Sequence, residues 1–313
     1  MVSFVLRRML ALLPVLLLVA AFAFLVLRMV PGDPAAIIAG ETATTEQVAE
    51  IRQRLGLDQP LAKQFVIWLG HVVRGDFGES YFFKLPVMEL VRQRIEPTLA
   101  LGACALMISI VVAVPLGVLA AFRQGSRIDD MVMGLSVLGF SVPGFVLGYA
   151  LMYVFAIELD WLPVQGYTRI ADGLAPFFAR IILPASALAV VYIALIARIT
   201  RTSVLEVLNE DYIRTARAKG LTEAEVLVRH ALRNAAVPIL TIIGIGIGLL
   251  IGGAVVTESV FAIPGLGRLT VEAVLSRDFP VIQALIVLFS AAYVMVNLLV
   301  DIGYAFLDPR IRY

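Results

Sequence analysis

Six stretches of the chain are almost continuously apolar: residues 9–29, 98–122, 131–157, 181–199, 237–256 and 281–306. Each is long enough to cross about 30 Å of hydrocarbon as a helix. A helix pairs all of its own backbone groups, as a lipid-embedded segment must. The pattern therefore predicts an all-α integral membrane protein with six transmembrane helices. Pro14, Pro115 and Pro143 fall inside these spans, where neighbouring helices can satisfy the freed carbonyls, and kinks are expected there. Arg7 and Arg8 before the first run imitate a secretory leader. The run is too long for one and no small-residue cleavage site precedes VPGDP, so it is expected to stay as the first span.

Two polar regions interrupt the apolar frame. In residues 31–97, TTEQVAEIRQRLG opens with Thr44 and Gln47 at capping-box spacing and puts Val48, Ile51 and Leu55 on one stripe before Gly56. PLAKQFVIWLGHVVRG repeats the design with Leu61, Phe65, Trp68 and Val72. Two amphipathic helices against the span ends are predicted, and His71, without a partner at metal-binding spacing, reads as a surface residue. The second polar region, residues 201–236, predicts a helix running on from the fourth span, a left-handed turn at Gly220, and a second helix opened by the Thr222/Glu225 box. On that second helix Leu221, Ala224, Val228, Ala231, Leu232 and Ala235 share an arc of about 100°. Glu223, His230, Arg233 and Asn234 face away, and Pro238 is expected to close the unit and open the fifth span. Such an elbow has an apolar back and a front of mixed charge that suits a protein partner better than anionic lipid.

Composition sharpens this picture. The 313 residues are 60% hydrophobic and 16% charged, against about 45–50% and about 25% in a soluble domain. A net charge of +1 gives no basic footprint for nucleic acid, so no nucleic-acid partner is expected. Cys104 reads as a small buried hydrophobe. Lys and Arg near span ends place both termini and residues 201–236 on the cytoplasmic side, while residues 31–97, a segment longer than about 60 residues, translocate regardless of charge. The expected divisions are 1–30 (N-terminus and first span), 31–97 (external helical segment) and 98–313 (a five-helix transmembrane core carrying the cytoplasmic insert 201–236), set in lipid.

Catalytic signatures are missing. No phosphate-binding G-x-x-x-x-G-K-[ST], nucleophile elbow, H-E-x-x-H or cysteine cluster occurs. IPGLGRL lacks the Lys-Ser/Thr of a nucleotide loop and reads as an external turn. The chain is thus expected to be non-catalytic, with no metal and no cofactor of its own. An ion-coupled secondary transporter would hold ionisable groups near the span centres, and these spans hold essentially none.

The block EDYIRTARAKGLTEAEVLVRHALRNAAVPIL resembles the coupling-loop signature of permease subunits of ATP-binding-cassette (ABC) importers, in the dipeptide, oligopeptide and nickel branch. Gly220 matches the signature glycine, Ala216 its second alanine and Leu232 its late leucine. Arg214 and Thr215 stand at the Glu-Ala positions, and His230 and Arg233 replace the isoleucine and proline. VPGDPAAIIAG, LGLDQPL, GDFGES, SVPGFVLG, ESVFAIPGLGRL and DPRIRY resemble the same branch in the same order. The resemblance implies a type I ABC importer permease fold in a bacterial inner membrane. It implies a second, homologous permease as heterodimer partner, two cytoplasmic ATPases that bind ATP and Mg, and an external solute-binding protein. The implied cargo is short peptides, with glutathione, nickel chelates or another small solute as alternatives. Coupling residues by this reading are Asp211, Tyr212, Arg214, Thr215, Ala216, Arg217, Lys219, Gly220, Leu221, Glu225, Arg229, His230 and Arg233. Small and polar residues in the third and fifth spans, Ser136, Ser141, Thr241, Gly244, Gly248, Gly252 and Gly253, with Glu258 at the end of the fifth, are candidates for the translocation path or for simple helix packing.

Overall fold

The computed structural model describes residues 2–29, 35–36, 44–54 and 56–307. Leu55, most of VPGDPAAIIAG and the terminal DPRIRY lie outside them. The described elements are helical: α1 (Val2–Met29), α2 (Thr45–Arg54), α3 (Leu61–Val73), α4 (Val87–Phe122), α5 (Arg127–Ser141), α6 (Gly144–Met152), α7 (Leu174–Leu208), α8 (Asp211–Ala218), α9 (Glu223–Val260), α10 (Leu266–Leu275) and α11 (Phe279–Leu307).

Five of these, α1, α4, α7, α9 and α11, are long and apolar enough to cross a membrane; the sixth predicted span differs. Residues 131–157 do not form one kinked helix. They form a broken pair, Arg127–Ser141 and Gly144–Glu158, bent by 100°. Val142 is extended (φ −91°, ψ 124°) and so is Pro143 (ψ 135°). The residue before a proline is pushed out of the α region, and here it is β-branched and precedes Pro-Gly, so nothing carries the helix across. Pro14, Pro97, Pro115, Pro184 and Pro238 remain inside uninterrupted helices.

The chain divides into two compact units. The first comprises residues 1–5, 94–268 and 293–313. Its core gathers Leu101 and Ala105 of α4, Ile181, Leu188 and Ile196 of α7, Leu250 of α9, and Phe261 and Ile263 beyond it. Here α4 and α7 approach closely at Gly117, where a Cβ would sit 2.6 Å from both the Ala197 carbonyl and Thr200 Cβ. No larger residue fits that crossing.

The second unit comprises residues 6–93 and 269–292. Thr44 and Gln47 cap α2 reciprocally: the Thr44 N–H donates to Gln47 Oε1 (2.9 Å) and the Gln47 N–H to Thr44 Oγ1 (3.3 Å). Phe65 and Trp68 of α3 pack on Phe24 of α1, with ring centroids 5.2 and 5.6 Å away. Arg28 lies 3.5 Å over the Phe24 ring and donates to Gln64 Oε1 at 2.6 Å. Buried Asp278 accepts from the Ser80 hydroxyl and from the N–H groups of Tyr81 (3.0 Å) and Phe82 (3.2 Å), which closes the turn after GDFGES. His71 is exposed and pairs with Asp76 at 2.9 Å.

Candidate functional site

The polar insert between α7 and α9 is a compact elbow. Its first helix does not run on from α7. That helix ends at Leu208, Asn209 turns its side chain back to the Leu205 carbonyl (3.0 Å), and Glu210 is extended (ψ 147°). Asn and Glu-Asp at this point compete with the helix backbone and then favour a new helix start, with Asp211 in the first turn of α8. At the other end of α8 the N–H of Leu221 reaches the Ala216 carbonyl and that of Gly220 the Arg217 carbonyl (2.9 Å). Gly220 has φ +84°, a conformation other residues adopt only with strain.

Thr222 and Glu225 then form both halves of the expected box. Thr222 N–H donates to Glu225 Oε2 (2.9 Å), and the Glu225 N–H to Thr222 Oγ1 (3.4 Å). The next residues, Val226–Ala231, form a π-helical turn. It displaces the apolar stripe from the expected arc. Val228 is 67% exposed and Ala224 is exposed, whereas Val226, Ala231, Ala235 and Ile239 are buried. Their spacing is five and then four and four, because a π turn holds one residue more than an α turn. Pro238 does not separate elbow from span; α9 runs unbroken from Glu223 to Val260.

The elbow has its own small core of Ile213, Ala216 and Val226, backed by Val207, Leu208 and Leu221. Ala216 is therefore turned inward, while Leu221 and His230 are half-buried. Asp211, Tyr212, Arg214, Thr215, Arg217, Lys219, Gly220, Glu225, Arg229 and Arg233 are exposed. Two surface contacts hold the two helices in register: Arg217 donates to both carboxylate oxygens of Glu223 (2.8 and 3.1 Å), and Asn234 to the Tyr212 hydroxyl (2.7 Å), while Arg214 donates to Asp211 (3.2 Å) within α8. The hydrogen bond to Glu223 holds the Arg217 guanidinium even above its ordinary pKa. Where α7 meets the elbow, Arg201 grips Asp129 at the start of α5 with two bonds of 2.5 and 2.6 Å. The Tyr212–Asn234 and Arg201–Asp129 contacts join residues 22 and 72 apart, and no local pattern signals them.

The residues expected along the path divide into lining and packing. Ser136 and Ser141 line a cleft of about 320 Å³ between α5 and α7, with Arg198 in its wall. Gly253 lines a second cleft of about 230 Å³ among α6, α7 and α9, with Gly144, Tyr192 and Thr257. Thr241 instead accepts from the Tyr304 hydroxyl at 2.8 Å. Gly244 packs under Val300 and Gly248 under Tyr293, where a Cβ would collide. Gly252 is exposed with open space beside it.

Glu258 lines neither cleft. It is fully buried at the end of α9, where it accepts from the Thr98 hydroxyl (2.6 Å) and the Arg268 N–H (2.8 Å). Thr98 in turn accepts from the Leu266 N–H (2.7 Å). Gly265 and Gly267 leave room for the carboxyl group, which sits against the N-terminus of α10.

Comparison with known proteins places this architecture. Residues 113–313 match the family described as "Binding-protein-dependent transport system inner membrane component", and residues 1–102 its N-terminal companion. A probable peptide ABC transporter permease, y4tP of Sinorhizobium fredii, is 54% identical over 310 residues, 99% of each chain. The glutathione transport system permease GsiC of Salmonella typhimurium is 44% identical over 313 residues, the full length of both. Among solved structures, the inward-facing MetNI methionine ABC transporter superposes with a TM-score of 0.59 at 20% identity, covering 71% of this chain and 97% of its own. The last likeness concerns the fold. Membership carries with it a non-catalytic, multi-pass role in the inner membrane, without a cofactor in this chain, and work beside an ATPase and a binding protein. The chain belongs to the inner-membrane permease components of binding-protein-dependent ABC transport systems.

Proposed function

We propose that this permease forms half of the translocation path of an importer for short peptides, and that residues 201–236 are its cytoplasmic coupling loop. The observation that carries the mechanical part is the continuity of α9. A capped elbow with its own core joins, through one helix, to a span that lines a cleft. Closure of two ATPases against the exposed charges of α8 and the following turn would turn the elbow as a unit. α9 would transmit that rotation to the cleft. By this reading Asp211, Arg214, Arg217, Lys219, Glu225, Arg229 and Arg233 meet the ATPase, Tyr212 and His230 edge the contact, and Ala216 supports it from inside. Both termini face the cytoplasm, residues 31–97 lie outside, residues 98–313 form the core, and a second, homologous permease completes the path.

The peptide cargo follows the relative at 54% identity, and glutathione, carried by a relative at 44%, is the alternative. Reconstitution of the chain with its co-purifying permease, ATPases and binding protein tests the proposal. ATP-dependent dipeptide uptake is expected. Uptake driven by an ion gradient without the ATPases would overturn it in favour of a secondary transporter.

A further inference from the structure

The two clefts follow one another along α7. Ala187, Leu188, Val191 and Tyr192 face one, and Ala194, Leu195 and Arg198 face the next. The break between α5 and α6 lies between them, with Ser141 in the second and Gly144 in the first. Each cleft holds hydrogen-bond donors without a partner among the described residues. In the first, the N–H groups of Gly144 and Phe145 start α6, and Pro143 offers no side-chain cap. Tyr192 is only 5% exposed, its hydroxyl has no hydrogen-bond partner, and that oxygen lies 3.7 Å from where a Cβ on Gly253 would stand in the same cleft wall. The hydroxyl oxygen itself is accessible from the cleft that Tyr192 lines, so it is free to donate to an acceptor there.

In the second cleft the guanidinium of Arg198 is exposed and pairs with no described carboxylate, whereas Arg201, one turn on, is locked to Asp129. Arg198 stands near the end of the predicted span 181–199, and a guanidinium there without a carboxylate partner among the described residues is available to a ligand of opposite charge. Ser136 and Ser141 donate their hydroxyls to their own helix carbonyls (2.8 Å each), which leaves Arg198 as the charged donor of that wall. A helix start plus an unpartnered tyrosine hydroxyl in the cleft wall, followed by a guanidinium, is a donor set for a carboxylate.

We propose that the clefts are two successive stations for the carboxylate of the transported solute: Tyr192 with the Gly144 and Phe145 amides first, Arg198 second. The inference rests on the peptide reading, in which the carboxylate is the C-terminus of the cargo. Each cleft has room for the charged end of a short peptide.

The test is competition in vesicles holding the complete assembly with saturating binding protein. Uptake of a free dipeptide is measured against that of its C-terminal amide. Preference for the free acid is expected to fall about tenfold in both Tyr192→Phe and Arg198→Gln, and Arg198→Lys is expected to restore most of it. A uniform loss of uptake with the preference intact would mean a structural role and overturn the proposal, as would wild-type behaviour of both variants. An Arg198→Gln defect that disappears in vesicles lacking anionic lipid would assign the cation to a headgroup phosphate and overturn the second station. No uptake of either dipeptide by the wild-type assembly would overturn the peptide reading itself.

Discussion

The two ends of α9 are built on opposite principles. At Glu223 the helix meets an elbow held by a three-residue core and by ion pairs and hydrogen bonds open to water. At Val260 it meets a corner held by one buried carboxylate, with Phe261 and Ile263 packed into the main core. Exposed pairs contribute about 0–1 kcal/mol each; a buried, hydrogen-bonded acidic group is costly to disturb. In the mechanism proposed above, the corner would serve as a fixed pivot and the elbow as the part that keeps its shape while offering its charges to the ATPase. A lever needs one end anchored and the other graspable.

This contrast can be broken or sharpened by substitution. The largest effect is expected at the pivot. Glu258→Ala removes the acceptor of the Thr98 hydroxyl and of the Arg268 N–H in the interior, and about 1–3 kcal/mol of stability should be lost, seen as a clear drop in the melting temperature of the purified complex. If Glu258→Ala melts like wild type, the corner is no anchor. Next, Gly220→Pro removes the bond to the Arg217 carbonyl and cannot adopt φ +84°. ATP-driven uptake should fall at least about tenfold, with insertion preserved and ATP hydrolysis released from transport. Thr222→Ala removes one half of the capping box and should cost about 1 kcal/mol, read as a small drop in melting temperature with a parallel loss of coupling.

Smaller still, Arg217→Gln breaks an exposed pair. It should leave melting within about 0.5 kcal/mol of wild type while weakening ATPase co-purification, which separates a contact role from a structural one. The smallest effect lies outside α9, at Asp76, whose exposed carboxyl is held below its ordinary pKa by the Gly78 N–H and then by His71. Its lowered pKa stabilises the fold above the usual carboxylate range, and that contribution is lost as pH falls through the lowered value. Asp76→Asn should therefore lower the melting temperature slightly at neutral pH, where that contribution is fully present, and abolish its slight loss on the acid limb.

Much of this was legible in the chain, and the failures have physical causes. Apolar runs located the spans, because lipid enforces helix and length together. The Thr44/Gln47 and Thr222/Glu225 boxes and the Gly220 turn were readable because each is written in residues three or four apart. Three features were not. Val142-Pro143-Gly144 looked like a kink because composition does not distinguish a bent helix from a broken one. The shift from Val228 to Val226 on the buried stripe follows from a π turn, which has no residue signature and violates the 3.6-residue periodicity used to find the stripe. Glu258 looked like a path residue because its partners, Thr98 and Arg268, lie on other elements. Arg198 is visible in the chain as a cation at the end of an apolar run, whereas Tyr192 sits among apolar neighbours and carried no signal.

The extra residue in Val226–Ala231 has a consequence for how such chains can change. Each residue added to or removed from an α-helix swings everything beyond it by about 100°. A wider ring at the root of α9 is a reservoir of one residue. Shortening the segment there by a single position would draw the ring down to ordinary helix with the residue at Val226 still one turn from Ala231 on the same buried face, so a deletion that would swing a plain helix is absorbed without turning the elbow.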